Sequence, residues 1–163
     1  MKQIEVLSVF SQFDNSDELP PADKALLDEA ARSVEKAYAP YSGFHVGAAV
    51  LLENGTVVSG NNQENASYPL GLCAERVALF AASANHPGIK IKAIAVAAAS
   101  KQFEVNKPVA PCGACRQVIA EYEHLHKNSI RIILSGESGN VLVAEGINNF
   151  LPLQFTSDDL KIK

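Results

Sequence analysis

Cys73-Ala74-Glu75-Arg76 and Pro111-Cys112-Gly113-Ala114-Cys115-Arg116-Gln117 hold all three cysteines of the 163-residue chain. Each segment opens a stretch of helical composition. Cys73 to Ala84 is rich in alanine and leucine, and Cys112 to His124 follows Pro111, a residue suited to a first turn. Between the two, Ile89 to Ala98 alternates and then runs apolar, the pattern of a buried strand. The core of the chain therefore reads as helix, strand, helix, with a cysteine at the head of each helix.

Outward from this unit, Asp23 to Tyr38 places Leu27, Ala30, Ala31, Val34 and Tyr38 at helical spacing with charges between them. His45 to Leu52 is β-branched and apolar. Asn54-Gly55 is a hairpin signal, and Thr56 to Ser59 returns as the partner strand. Gly60 to Gly71 and Lys101 to Ala110 read as loops. Ile130 to Leu134 and Val141 to Ala144 add two strands around a turn at Gly136 to Asn140, and Asn148 to Leu160 is a proline-interrupted apolar patch. The order α-β-β-α-β-α-β-β implies an α/β fold, with one mixed sheet and helices packed on its faces. Residues 1–20 read as an N-terminal extension of unknown role, and residues 21–163 as a single domain. The extension holds Ile4, Val6, Leu7, Val9 and Phe10 before an acidic run, and Pro20-Pro21 ends it. It is either an edge strand or a docking arm.

Composition narrows the classes. Hydrophobic residues make up 47% and charged residues 20%, as in an ordinary globular domain. The net charge of −4 lacks the basic surface that neutralises phosphates, so nucleic acid is not the expected partner. No apolar run approaches the roughly 18 residues of a membrane span. Residues 1–20 lack the plan of a signal peptide, so a cytoplasmic location is expected.

An odd number of cysteines in a reducing compartment reads as thiols or metal ligands rather than disulfides. Cys112 and Cys115 are three apart, which puts both sulfurs on one helix face. A helix N-terminus favours thiolate over thiol, and Cys73 stands at one too. Three converging thiolates would hold Zn²⁺. The bland alternative is three separate core cysteines. Structural zinc sites close with four protein ligands, whereas catalytic ones keep a position for water. No fourth cysteine exists, and none of His45, His86, His124 or His126 stands in a usual ligand spacing. An open position needs a proton carrier, and Glu75 is near in sequence. In an ideal helix, however, residues two apart point about 200° apart, so spacing alone does not bring Glu75 to the metal. Alone, it is equally an acidic residue favoured in a first helical turn. Zn²⁺ with three thiolates carries a formal −1, so a nearby cation would offset the charge. Arg76 is the expected one, and Arg116 is as well explained as a surface residue.

At these residues the chain resembles the zinc-dependent cytidine deaminases, whose zinc sites combine cysteine ligands, a separate glutamate and a P-C-x-x-C element. The resemblance spans about residues 22–160 and includes Tyr38-Ala39-Pro40-Tyr41-Ser42-Gly43-Phe44 and Gly60-Asn61-Asn62-Gln63-Glu64-Asn65-Ala66. Cysteine at position 73 is similar to the small homotetrameric branch. The resemblance implies a three-layer α/β/α fold and one Zn²⁺ per subunit on Cys73, Cys112 and Cys115, with Glu75 as proton shuttle. It implies nucleoside contacts from Phe44, from Asn62-Gln63-Glu64 and from the Ala74 backbone, with Asn62 and Glu64 on the ribose hydroxyls. Phe155 would enter the pocket of a neighbouring subunit. The implied reaction converts cytidine, and 2′-deoxycytidine, to the uracil nucleoside with release of ammonia. Rival readings are a deaminase of another aminopyrimidine such as blasticidin S, a polynucleotide-editing enzyme, a non-catalytic zinc module and a redox C-x-x-C protein.

Overall fold

The computed structural model describes residues 1–160. In chain order the elements are β1 (Ser11–Phe13), α1 (Pro21–Val34), β2 (Phe44–Leu52), β3 (Val57–Asn61), α2 (Ala74–Asn85), β4 (Ile91–Ser100), α3 (Gly113–His126), β5 (Arg131–Ser135) and β6 (Val141–Glu145). Six strands form one sheet in the order β1-β6-β5-β4-β2-β3. Only β4 and β5 run parallel, joined through α3, and every other pair is antiparallel. The mixed sheet expected from the element order is therefore present.

Strand alternation sends two kinds of side chain to the two faces. Ile94 and Val96 of β4 join Ala48, Val50 and Leu52 of β2 against Ala78, Leu79 and Ala82 of α2 and Ile119 of α3. The opposite face presents Ala93, Ala95, Ala97 and Ala49 to Leu26, Leu27 and Ala30 of α1. That alanine surface lets α1 lie close to the sheet, and burial on both faces explains the near-continuous apolar run of β4. The result is three layers: α1, the sheet, then α2 and α3.

Two boundaries depart from the sequence pattern for identifiable reasons. Helix α1 stops at Val34, although the apolar spacing continues to Tyr38. The backbone N–H of Tyr38 instead donates to the carbonyl of Asn62, and Tyr38 accepts from the Glu64 N–H, so the segment leaves the helix to pair with the loop after β3. Cys73 and Cys112 do not lie inside their helices. Both are extended residues immediately before the first turn. In the N-terminal extension, Ser11–Phe13 pairs antiparallel with Val141–Val143 at the edge of the sheet.

Two contacts fix the layers. A Cβ at Gly60 would stand 2.6 Å from the Ala78 backbone nitrogen, so α2 rests directly on β3. From the other layer, the Ser33 hydroxyl of α1 donates to the Gly60 carbonyl at 2.8 Å. Among the described residues, no helix is long and apolar enough to cross a membrane.

Glu123 of α3 closes the far end of the helix. Its Oε1 accepts the backbone N–H of Ile130 at 2.7 Å and of Ile147 at 3.0 Å, both residues fully buried. Removing the carboxylate would orphan two buried donors at roughly 1–3 kcal/mol each. Glu123→Ala should lower unfolding free energy by about 2–4 kcal/mol, read from the midpoint of a urea titration with unchanged slope.

Candidate metal centre and active site

The tips of α2 and α3 meet at one point. Cys73 immediately precedes α2, Cys112 immediately precedes α3, and Cys115 lies in the first turn of α3. The sulfurs of Cys73 and Cys112 are 3.7 Å apart, those of Cys112 and Cys115 are 3.5 Å apart, and all three lie within 4.8 Å of one another. Thiolates in a tetrahedron at a Zn–S distance of about 2.3 Å would stand ~3.8 Å from each other, so the donor set fits zinc in both chemistry and spacing. Among the described residues, no further His, Cys, Asp or Glu joins the three. Burial is graded, with Cys115 buried, Cys73 half-buried and Cys112 exposed.

The protonation of the metal-free cluster follows from its contacts. A hydrogen bond from Cys115 and the guanidinium of Arg76 hold the Cys73 thiol down at about 5 despite its partial burial. Cys115 is pushed strongly the other way, first by its bond to Cys73 and then by burial. One thiolate is thus shared by a neighbouring thiol. Nη2 of Arg76 lies 3.8 Å from Cys73 Sγ and 3.4 Å from the Gly71 carbonyl, while its buried Nε has no partner among the described residues. Burial would lower the pKa of Arg76, but the bond to Cys73 and the nearby sulfur charges raise it overall.

Glu75 is 4% exposed. Burial raises its carboxyl above the usual range, its own backbone N–H pulls the other way, and the charge of Cys73 raises it further. Interaction with Cys115 adds a lowering influence. The angular objection drawn from an ideal helix does not apply, because Cys73 is extended rather than helical.

The residues expected to meet a nucleoside lie on neighbouring segments. Asn62 is clasped to β2: its Nδ2 donates to the Phe44 carbonyl at 2.9 Å and its Oδ1 accepts from the Val46 N–H at 2.8 Å. Glu64 Oε2 accepts the Tyr41 N–H at 2.9 Å and the Ser42 N–H at 3.3 Å. Interaction with the Ser42 side chain, then these backbone bonds, holds its pKa below the usual value. Gln63 donates from Nε2 to Asn61 Oδ1, and its backbone pairs with Leu72, directly before Cys73. Ala74 is fully buried at the start of α2. The Phe44 ring lies 6.4 Å from that of Phe103. Phe155 is 56% exposed, with its carbonyl held by Gln117 Nε2 at 2.7 Å.

A hollow of about 300 Å³ lies beside Glu64, lined also by Tyr41, Ser42, Asn65 and Tyr68. It does not include the cysteines. Sequence reasoning did not single out Tyr68, Phe103 or the backbone partners of Glu64. Tyr41 and Ser42 stand in a quoted block, but their contact with Glu64 spans more than twenty positions and has no local signature.

Three sulfurs on two helix tips with a buried acid beside them define a zinc centre of the three-ligand kind that catalytic sites use. Residues 20–128 match the family described as the cytidine and deoxycytidylate deaminase zinc-binding region. A cytidine deaminase of Halalkalibacterium halodurans is 44% identical over 135 residues, covering 83% of this chain and 95% of that one. One from Sporosarcina psychrophila is 41% identical over 136 residues, covering 83% and 92%. The crystal structure of cytidine deaminase from Burkholderia pseudomallei is 47% identical, with a TM-score of 0.70, and the likeness covers 80% of this chain and 97% of that one. The chain belongs to the zinc-dependent cytidine deaminase family, and zinc is bound by its three-cysteine site.

Zinc needs all its sulfur ligands deprotonated, and Cys115 is held as a thiol in the metal-free cluster. Loading the metal-free protein at neutral pH should therefore release protons, at least about one per zinc, and affinity should climb as pH rises. Proton release followed with a pH indicator during zinc titration checks this, and uptake without release would contradict it.

Proposed function

We propose that this chain hydrolyses the exocyclic C–N bond of cytidine and of 2′-deoxycytidine, giving the uracil nucleoside and ammonia. The observation that carries the reading is the three-sulfur cluster with buried Glu75 beside it, in a chain of the cytidine deaminase family. Zinc, when bound, supplies the acidity that makes water a usable nucleophile near neutral pH.

Glu75 is the proton carrier. Its carboxylate accepts a proton from water and delivers it to N3 of the base, which makes C4 more electrophilic. Once the water oxygen has bonded to C4, Glu75 takes the remaining proton of that hydroxyl and passes it to the amino nitrogen, so the C–N bond breaks and ammonia leaves as the C4 carbonyl forms. A carboxyl raised by burial suits both directions, because its affinity for a proton lies nearer neutrality than that of a solvated acid. Arg76 offsets the charge of the thiolates through Cys73.

Asn62 and Glu64 receive the ribose. The Asn62 amide is fixed by two bonds to β2 and keeps one donor and one acceptor site in reserve. Glu64 spends Oε2 on the turn at Tyr41 and Ser42, which leaves Oε1 to accept from a sugar hydroxyl in a charge-assisted bond. Gln63 anchors this loop to Leu72 and so to the cysteine beside it. Phe44 packs beside the nucleoside, and the Ala74 backbone at the α2 tip meets the base.

The assembly we favour is a homotetramer in which Phe155 completes a neighbour's pocket. Support comes from large apolar side chains left in water by the single chain, among them Tyr68 at 75%, Leu153 at 85% and Phe155 at 56% exposure. Residues 21–163 form the catalytic domain and residues 1–20 its extension. A reducing cytoplasm suits three unbridged thiols this close together.

Glu75→Gln keeps the size and polarity of the side chain. It should retain stoichiometric zinc while losing at least ~10²-fold in turnover, followed as the absorbance change from cytidine to uridine. Near-normal turnover would reject the role.

A further inference from the structure

The family match begins at residue 20, so the N-terminal extension lies outside it. The end of that extension is nevertheless built into the fold. The Val9 N–H donates to Asn149 Oδ1 at 2.8 Å, and β1 follows along β6. The Phe10 ring stands edge-on to Phe150, with centroids 4.9 Å apart and planes at 77°. Phe150 in turn faces Arg116, whose guanidinium carbon is 5.9 Å from the ring centroid. Arg116 donates from Nη1 to the Phe150 carbonyl at 3.0 Å and from Nε to the Pro111 carbonyl at 2.7 Å. Pro111 precedes the ligand Cys112, and Arg116 follows the ligand Cys115.

We propose that Arg116 is a positioning residue for the Pro111–Cys112 turn, and that the N-terminal arm keeps Arg116 seated by holding Phe10 against Phe150. The inference rests on the reading of the three cysteines as the zinc site. Cys115 is fixed by its burial and Cys73 by contact with Arg76, whereas Cys112 is exposed. The Arg116 guanidinium restrains that turn from its other side, by donating to the Pro111 carbonyl. Its planar fork spans two carbonyls in a set geometry that a lysine ammonium does not reproduce. The Phe150 ring holds the other side of the fork by cation–π attraction, and Phe10 contacts that ring in the edge-on arrangement aromatic pairs favour. The extension therefore reaches the metal ligands through three side chains without touching them.

The test uses the full-length, zinc-loaded protein and reads metal release into a chromogenic chelator at temperatures well below unfolding. Arg116→Lys should speed release by about 10–100-fold, the usual effect of losing a residue that orients a ligand. Phe10→Ala should speed it roughly tenfold, and Phe10→Leu, which keeps an apolar contact, should recover most of the loss. The double variant should release no faster than Arg116→Lys alone, because both changes act through one contact. In cobalt-substituted protein, Phe10→Ala should shift the visible absorption bands that report the ligand geometry. An unchanged release rate and cobalt spectrum in Phe10→Ala would overturn the proposal, even with a lowered Tm, and so would simple additivity in the double variant. Failure of the zinc reading itself would show differently, as lack of stoichiometric zinc in the unsubstituted protein.

Discussion

The close approach of α2 to β3 at Gly60 is the constraint on which the site depends. With hydrogen in place of a side chain, the α2 backbone settles directly on the strand. That contact sets the height of the α2 tip above the sheet and so the position of Cys73. The α3 tip is set separately, by the parallel β4–β5 pair that its crossover joins. A metal site made from both tips needs the two settings to agree within a few tenths of an ångström. The sulfur spacings of 3.5 and 3.7 Å show that they do.

Electrostatics reinforces the same convergence. Two helix N-termini bring unpaired backbone N–H groups and positive potential to one spot, which favours sulfur anions there. Glu75 is also drawn into that spot, yet burial resists its ionisation and the adjoining thiolate resists it further. The site thus divides anionic character unequally, with the Cys73 thiol held down and the Glu75 carboxyl held up. Arg76 contributes to this division from one side, with a nitrogen near Cys73.

Much of this was legible in the chain, for physical reasons that differ by element. Strand β4 could be read because burial on both faces leaves a run of apolar residues, and the β2–β3 hairpin because Asn54-Gly55 supplies the turn, with Gly55 at φ 86°. The ligand trio could be read because its chemistry is restricted to few residue types at fixed spacing. The angle between Cys73 and Glu75 could not, since Cys73 is extended, a conformation that spacing does not encode. The end of α1 was hidden because periodicity reports which side chains are apolar, not where the Tyr38 N–H finds an acceptor. Strand β1 is three residues long, too short to show alternation. The seating of Arg116 against Phe150 offered no local sign, because the two are 34 positions apart.

The order of strands carries one more implication. Strand β1 opens the chain but pairs with β6, the last strand, while β4, which precedes α3, flanks β5 on the other side. The stretch from α3 through β6 is therefore gripped on both edges by the stretch before it. The exposed residues around Lys101 mark the seam. A chain opened there would yield one fragment bearing Cys73 and another bearing Cys112 and Cys115, neither with a complete donor set. Metal uptake would then act as a reporter of reassembly, since it requires both pieces to be interleaved in the one order the sheet allows.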